Sequence, residues 1–317
     1  MTYRRCGASG LKLPVIGLGG WHNFADASFA REVLTKAFDL GVTHFDFANN
    51  YGAYAQQHGI AETNAGRVLT GDLKAYRDEI IVTTKAGYDM YPGPYGDGGS
   101  RKYLLASLDA SLRRLGLEYV DIFYSHRPDP DTPVEETMGA LDAAVRQGKA
   151  IYAGISNRDG DKTRACVAAI RPTGTPLIVN QVKYSMLSRQ PERGTLDACA
   201  EHGLGVVAFS PLEQGFLTDR YLREIPTGSR AAKGKNLGDR LTPALRTKLG
   251  ALNEVAQARG QDLAGMALNW VCRDARVTGV VLGASRVEQL VANVRAAEKF
   301  AAFTDEELRR LDAILAG

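Results

Sequence analysis

Eight short apolar runs separated by helical patterns restrict the fold of this chain more than any other feature. They are VIGLG (15–19), VTHFD (42–46), IIVTT (80–84), YVDIFYS (119–125), IYAGI (151–155), LIVN (177–180), GVVAF (205–209) and TGVVL (278–282). Each is nearly continuous in apolar or β-branched residues, the pattern of strands buried on both faces. Helical stretches intervene. In 101–115, Leu104, Leu105, Leu108, Leu112 and Leu115 form one apolar stripe. Segment 133–147 carries Thr132 as a candidate cap, Pro133 in the first turn, and Glu135 and Glu136 near the positive end of the helix. Strands alternating with helices imply a parallel sheet with crossover connections. Eight such units predict an α/β fold, a closed (β/α)8 TIM barrel.

Other segments decorate that barrel. Residues 2–14 hold a Gly-containing turn between extended pieces, an expected hairpin before the first barrel strand. The stretch AGYDMYPGPYGDGGS (86–100) reads as a long loop after the third strand. The interval between strands seven and eight is far longer than the rest, with a basic, Gly-rich piece, GSRAAKGKNLGDR, and then two helical patterns. A last helix opens at Thr304, with Glu307 three residues on as a capping box. A length of 317 residues admits two domains, but barrels of this type run this long as one, and no linker or repeat interrupts the chain. Residues 1–317 are read as a single barrel domain with extra C-terminal helices.

Charge and cysteine usage exclude several classes. A formal net charge of +3, with acidic and basic residues interspersed, gives no footprint for nucleic acid or an anionic membrane. Cys6, Cys166, Cys199 and Cys272 are far apart, match no zinc-ligand spacing, and read as free thiols in a reducing compartment; no metal site is expected. No apolar run approaches the ~18 residues of a bilayer span, and no apolar stretch follows the basic residues of MTYRRCGASGLKLP as a secretory signal would. The expectation is a cytoplasmic protein.

Chemistry collects at three consecutive strand ends. Asp46 ends the second strand with Tyr51 in the loop beyond it, Lys85 ends the third, and His126 follows the fourth. Taken singly, each is more readily a satisfied rim residue. Together they converge on the C-terminal rim, where barrels of this type gather reactive groups. A lysine close to a phenol would lower its pKa from about 10, an aspartate would fix the lysine, and an imidazole would orient a carbonyl oxygen. Hydride must come from a cofactor. GLGGWH (17–22) fails the Rossmann spacing because His22 stands where Gly or Ala is needed, and no P-loop is present. The cofactor would therefore lie across the rim loops. Ser156, Asn157 and Gln181 would offer polar contacts, and Phe209 a stacking face, although core packing is the simpler reading of that ring. GASRVEQLVAN (283–293) would offer a helix N-terminus and Arg286 to a phosphate.

These residues, together with GLGGW, HFDFANNYG, TKAGY, LRRLGLEYVDIFYSHRPD, AGISN, NQVKYSML, FSPLEQGFLTDRY and GASRVEQL in that order, resemble the aldo-keto reductase superfamily from residue 3 to about 300. KAGYDMYPGPYGDGGSRKYLLASLD resembles its branch of bacterial L-glyceraldehyde 3-phosphate reductases, which is similar to potassium-channel β subunits. The resemblance implies Asp46, Tyr51, Lys85 and His126 as a catalytic tetrad with Tyr51 as proton donor. It implies NADPH/NADP+ contacts at Gly20, Trp21, Asp46, Ser156, Asn157, Gln181, Phe209, Ser210, Leu212, Gln214, Gly215, Gly283, Arg286, Gln289 and Asn293. Trp21, Tyr51, His126 and Arg127 are the candidate substrate contacts. Ala292 and the Asp219–Arg220 pair depart from the family pattern in the adenosine and pyrophosphate region. The implied function is NADPH-dependent reduction of small aldehydes or ketones, of the glyceraldehyde 3-phosphate or methylglyoxal type. The alternatives are a cofactor-sensing regulatory subunit resembling channel β subunits, and a lyase using Lys85 as a Schiff-base nucleophile. A small carbonyl substrate is the expected partner, and a homo-oligomer is left open.

Overall fold

All eight apolar runs form strands, and the stretches between them wrap the outside as helices. The computed structural model describes residues 1–52, 57–227, 229–233 and 235–316. Strands β1 (Tyr3–Arg5) and β2 (Lys12–Pro14) pair antiparallel as the expected hairpin. Strict alternation follows: β3 (Ile16–Gly19), α1 (Ala27–Asp39), β4 (His44–Asp46), α2 (Ile60–Leu69), β5 (Ile81–Ala86), α3 (Arg101–Leu115), β6 (Val120–Ser125) and α4 (Val134–Arg146). It continues through β7 (Ala150–Ser156), α5 (Gly160–Ile170), β8 (Leu177–Lys183), α6 (Thr195–Glu201) and β9 (Gly205–Phe209). The long interval before the last strand holds α7 (Arg230–Lys233), α8 (Lys235–Arg240), α9 (Pro243–Ala258) and α10 (Leu263–Cys272). The chain then runs through β10 (Val277–Leu282), α11 (Val287–Ala297) and α12 (Asp305–Ala316). Helices α9 and α10 are the two helical patterns read there, while α7 and α8 add short turns within the basic, Gly-rich piece. Gly228 and Gly234 of that piece lie outside the described residues.

Strands β3 to β10 pair in parallel and close in the order β10-β3-β4-β5-β6-β7-β8-β9. Between strands and helices lies a large apolar core that takes in Val33, Leu104, Leu108, Leu141, Leu196 and Trp270. A smaller cluster fills the barrel itself: Ile122, Tyr124, Val179, Val207 and Val281, closed by Cys6 and Leu13 from the hairpin. Arg4 fastens the hairpin to the barrel by donating to the carbonyls of Cys272 and Val277, each at 2.9 Å. All four cysteines are buried free thiols. Among the described residues, no helix is long and apolar enough to cross a membrane.

Two glycines make room for large polar rings inside the barrel. A Cβ on Gly17 would lie 2.8 Å from the His44 ring, and one on Gly154 would lie 2.6 Å from the Tyr124 ring. Gly154→Ala should therefore overpack the barrel and destabilise it by about 1–3 kcal/mol. Urea unfolding checks this, and an unchanged midpoint would mean that the Tyr124 ring moves aside.

Helix starts follow local chemistry. The Ser100 hydroxyl accepts from Tyr103 N to start α3, and Thr304 and Glu307 form the reciprocal capping box. Thr132 does not cap α4. Pro133 occupies the N-cap position, and the Thr132 hydroxyl instead donates to Asp129 at 2.7 Å. Asp129, itself fastened to the 86–100 loop through Gly99 N at 2.6 Å, draws that hydroxyl away from the helix.

Candidate active site

Parallel register brings the ends of β4, β5 and β6 side by side. Asp46 pairs with Thr83, and Lys85 pairs with Tyr124. Residues 83 and 85 point to one face of β5, so the Thr83 hydroxyl and the Lys85 ammonium both reach Asp46. Lys85 Nζ donates to Asp46 Oδ2 at 2.5 Å and to the Phe47 carbonyl at 2.8 Å. Asp46 Oδ1 accepts from Thr83 Oγ1 at 2.6 Å and from Gln181 Nε2 at 3.1 Å. Both charges are buried, Lys85 completely. Burial lowers the Lys85 pKa, and the charge and hydrogen bond of Asp46 offset this only in part.

Tyr51 sits at the mouth, half-buried, with its ring centroid 5.2 Å from Lys85 Nζ. Its pKa is raised well above the ordinary tyrosine value, by burial first and then by the negative charge of Asp46 and by Tyr88. This corrects the expectation that Lys85 would bring it below the ordinary value: burial, joined by the Asp46 charge, outweighs any lowering by the ammonium. His126 stands edge-on to the Tyr51 ring at 5.9 Å. Its own pKa is pushed well below the usual histidine value by burial, then by Lys85, Arg127 and Arg158. The imidazole is neutral at physiological pH. Its Nδ1 is buried with no hydrogen-bond partner.

The structure gathers the other candidates around the same mouth. The Ser156 hydroxyl donates to the Gln181 carbonyl at 2.9 Å, and Asn157 Nδ2 donates to the His126 carbonyl at 3.0 Å. Gly20 N donates to the Asp46 carbonyl, and a Cβ on Gly20 would strike the Phe47 ring at 2.2 Å. Trp21 beside it is 38% exposed. Phe209 is half-buried at the end of β9, against the cluster inside the barrel. Beyond it, Ser210 and Gln214 hold positive φ at 54° and 59°, and Leu212 and Gly215 complete that loop. At the start of α11, Gly283 and Arg286 are exposed and Gln289 accepts from Ser285, while Asn293, midway along the helix, is buried. Ala292 is exposed on the same helix.

Arg127 does not stand open to a substrate. It donates to the Gly87 carbonyl at 2.7 Å and to both carboxylate oxygens of Asp97 at 2.7 Å. Arg101 likewise turns to the Gly139 carbonyl, and Lys102 lies over the Tyr95 ring at 4.5 Å. Asp219 and Arg220 form a short 3-10 turn behind the loop after β9.

Several site residues lie outside the motifs. Thr83 had a signal, because alternation along IVTTK puts it on the face of Lys85. Tyr88 had none: it meets His126 edge-on at 4.7 Å because the 86–100 loop folds back over the mouth. Glu62 is fully buried behind β5, where it accepts from Thr84 Oγ1 and from Arg114. Glu213, also fully buried at a φ of 45°, accepts from Lys183 at 2.6 Å and Arg240 at 2.7 Å, and so ties α8 to the rim.

A coenzyme can be tested against this donor set. Asn157, Ser210, Glu213 and Gln214 are the non-glycine residues at positive φ among those described, and all follow β7 or β9 on the rim. Backbone held in that region at such a cost gathers where a ligand is held. Hydroxyl and amide groups at β7 and β8, a half-buried aromatic face at β9 and an exposed guanidinium at α11 fit an amide-bearing ring at one end and a phosphate at the other.

A closed parallel barrel that gathers a buried Asp–Lys pair, a tyrosine and a histidine at one mouth has the layout of a barrel enzyme. Residues 15–316 match the Aldo/keto reductase family, and the chain belongs to it as an oxidoreductase. It is 52% identical over 325 residues to L-glyceraldehyde 3-phosphate reductase of Escherichia coli (strain K12), covering 100% of this chain and 93% of that protein. It is 34% identical to a putative voltage-gated potassium channel subunit beta of Schizosaccharomyces pombe (99% and 93% covered). A probable voltage-gated potassium channel subunit beta of Arabidopsis thaliana is also 34% identical (99% and 97% covered).

Proposed function

We propose that this chain reduces small polar aldehydes or ketones to alcohols with NADPH, and that Tyr51 supplies the proton. The observation that carries this is the buried Lys85–Asp46 pair set beneath a tyrosine whose phenol stays protonated and beside a histidine that stays neutral. Ser156, Asn157, Gln181, Phe209 and Arg286 would hold the coenzyme, which when bound supplies the hydride. Tyr51, kept in its acid form by burial, can release a proton only as negative charge develops on a carbonyl oxygen beside it. Lys85 then lies where it stabilises the phenolate left behind, and Asp46 and the Phe47 carbonyl keep the ammonium from swinging away. His126, with Nδ1 enclosed, would present Nε2–H to the carbonyl oxygen without competing as an acid. A Schiff-base role for Lys85 is disfavoured, because the amine is fully buried and already bonded to Asp46 and Phe47.

The relative's name supports a phosphorylated three-carbon aldehyde. Arg127 would reach its phosphate only by exchanging Asp97 for it. The test is carbonyl-dependent coenzyme oxidation with glyceraldehyde, its 3-phosphate, methylglyoxal and aromatic aldehydes. Far more efficient turnover of the aromatic aldehydes would overturn the substrate class. A charge-assisted contact from Arg286 to the 2′-phosphate should favour NADPH over NADH by about 1.5–3 kcal/mol, roughly 10- to 150-fold in kcat/KM. Equal kcat/KM for the two coenzymes would refute the preference.

A further inference from the structure

Arg158 follows the Ser156–Asn157 pair in the turn between β7 and α5, and only 5% of it is exposed. A buried guanidinium is costly without a carboxylate beside it. Here its N–H groups reach the Ser156 carbonyl at 2.8 Å and the Ser125 hydroxyl at 2.9 Å, neither of them charged. Asp129 and Asp159 act on it only as more distant charges. Ser125 ends β6 immediately before His126, and Ser156 ends β7. One planar fork thus spans two strand ends at the limit of their pairing, whose last register pair is Ser125 with Ile155. Further bonds run through the same turn: Asn157, at a φ of 58°, donates to the His126 carbonyl, and Asn180 Nδ2 donates to the Arg158 carbonyl at 3.0 Å.

We infer that Arg158 is a positioning residue, a buried brace that sets where His126 and the Ser156–Asn157 pair stand at the barrel mouth. The inference rests on the proposed role of His126 at the carbonyl. Arginine is the side chain that fits this role, since its fork holds separated donors in one rigid plane, whereas a lysine's donors all radiate from a single nitrogen on a flexible stem. Its charge acts along the same line. His126 faces Tyr51, Lys85, Tyr88, its neighbour Arg127 and Arg158, and the three cations all resist its protonation.

Three variants separate the brace from the charge. Arg158→Gln removes both and should lower kcat about 10- to 100-fold, the scale of a misplaced reacting group. Arg158→Lys keeps the charge but loses the planar fork, so it should recover only part of kcat. Ser125→Ala removes one link while leaving the guanidinium and its charge in place, and should lower kcat by about 2- to 10-fold.

A second readout needs no coenzyme. The His126 imidazole is titrated by NMR in the coenzyme-free protein, its signal assigned by its loss in His126→Gln. Removing a neighbouring cation makes protonation easier, so the His126 pKa should rise in Arg158→Gln and return towards the wild-type value in Arg158→Lys. A folded Arg158→Gln protein with wild-type kcat and wild-type titration would overturn the assignment. If that variant fails to fold, wild-type kcat in Ser125→Ala overturns it instead. Wild-type protein without any carbonyl-dependent NADPH oxidation would sink the reductase reading, and the imidazole titration would still judge Arg158.

Discussion

Tyr51→Phe should lower kcat for carbonyl reduction by about 10²–10⁴-fold while leaving coenzyme affinity almost unchanged. The substitution deletes one hydroxyl and keeps the ring that packs edge-on to His126, so the loop has no reason to move. What is lost is the proton donor. Lys85→Met should cause a comparable fall by another route, since the phenolate then forms in a buried site with no cation 5.2 Å from its ring. Because the two groups act as one unit, the double variant should be scarcely slower than either single one. Steady-state kinetics with fluorescence titration of the coenzyme provide the check. Near-normal kcat in Tyr51→Phe would remove this residue from the mechanism. The raised Tyr51 pKa adds a sign: the acid form persists through neutral and mildly alkaline pH, so reduction should not collapse there through loss of the phenol proton.

The chain announces its barrel because burial on both faces leaves each strand an almost unbroken apolar run, bounded by helices whose stripes have a different period. It announces Asp46, Lys85 and His126 for a related reason: a polar residue closing such a run has only the rim to occupy. Other features depend on contacts between segments far apart in the chain. Tyr88 joins the site only when the 86–100 loop closes, and Arg158 only when the ends of β6 and β7 meet. The direction of the Tyr51 shift was equally hidden. A lysine near a phenol argues for a lowered pKa until the fold shows the phenol buried and Asp46 laying claim to the ammonium. The Thr132 cap failed for a more local reason: Asp129, three residues earlier in the same loop and fastened to Gly99, takes its hydroxyl.

That claim on the ammonium makes Asp46 the residue whose loss should cost the fold most. In Asp46→Ala, Lys85 keeps only the Phe47 carbonyl as a partner, completely buried. Leaving one member of a buried pair uncompensated costs about 3–5 kcal/mol. Lys85→Met is the milder change, because the Asp46 carboxylate still accepts from Thr83 and Gln181. The two variants should therefore both lose activity yet differ in stability, which separates the catalytic use of the pair from its structural cost. The pH dependence follows from the lysine. Its folded pKa is already lowered by burial and falls further without Asp46, whereas the unfolded chain titrates near about 10.4. Between those two values the unfolded state binds a proton that the folded state rejects, so stability rises with pH. Urea unfolding of Asp46→Ala should show a higher midpoint at pH 9 than at pH 6.5, with a steeper rise than the wild type. A flat profile, or a total loss below about 1 kcal/mol, would mean that water or a shifted side chain replaces the carboxylate, and that the Lys85 charge is not held in place by Asp46 alone.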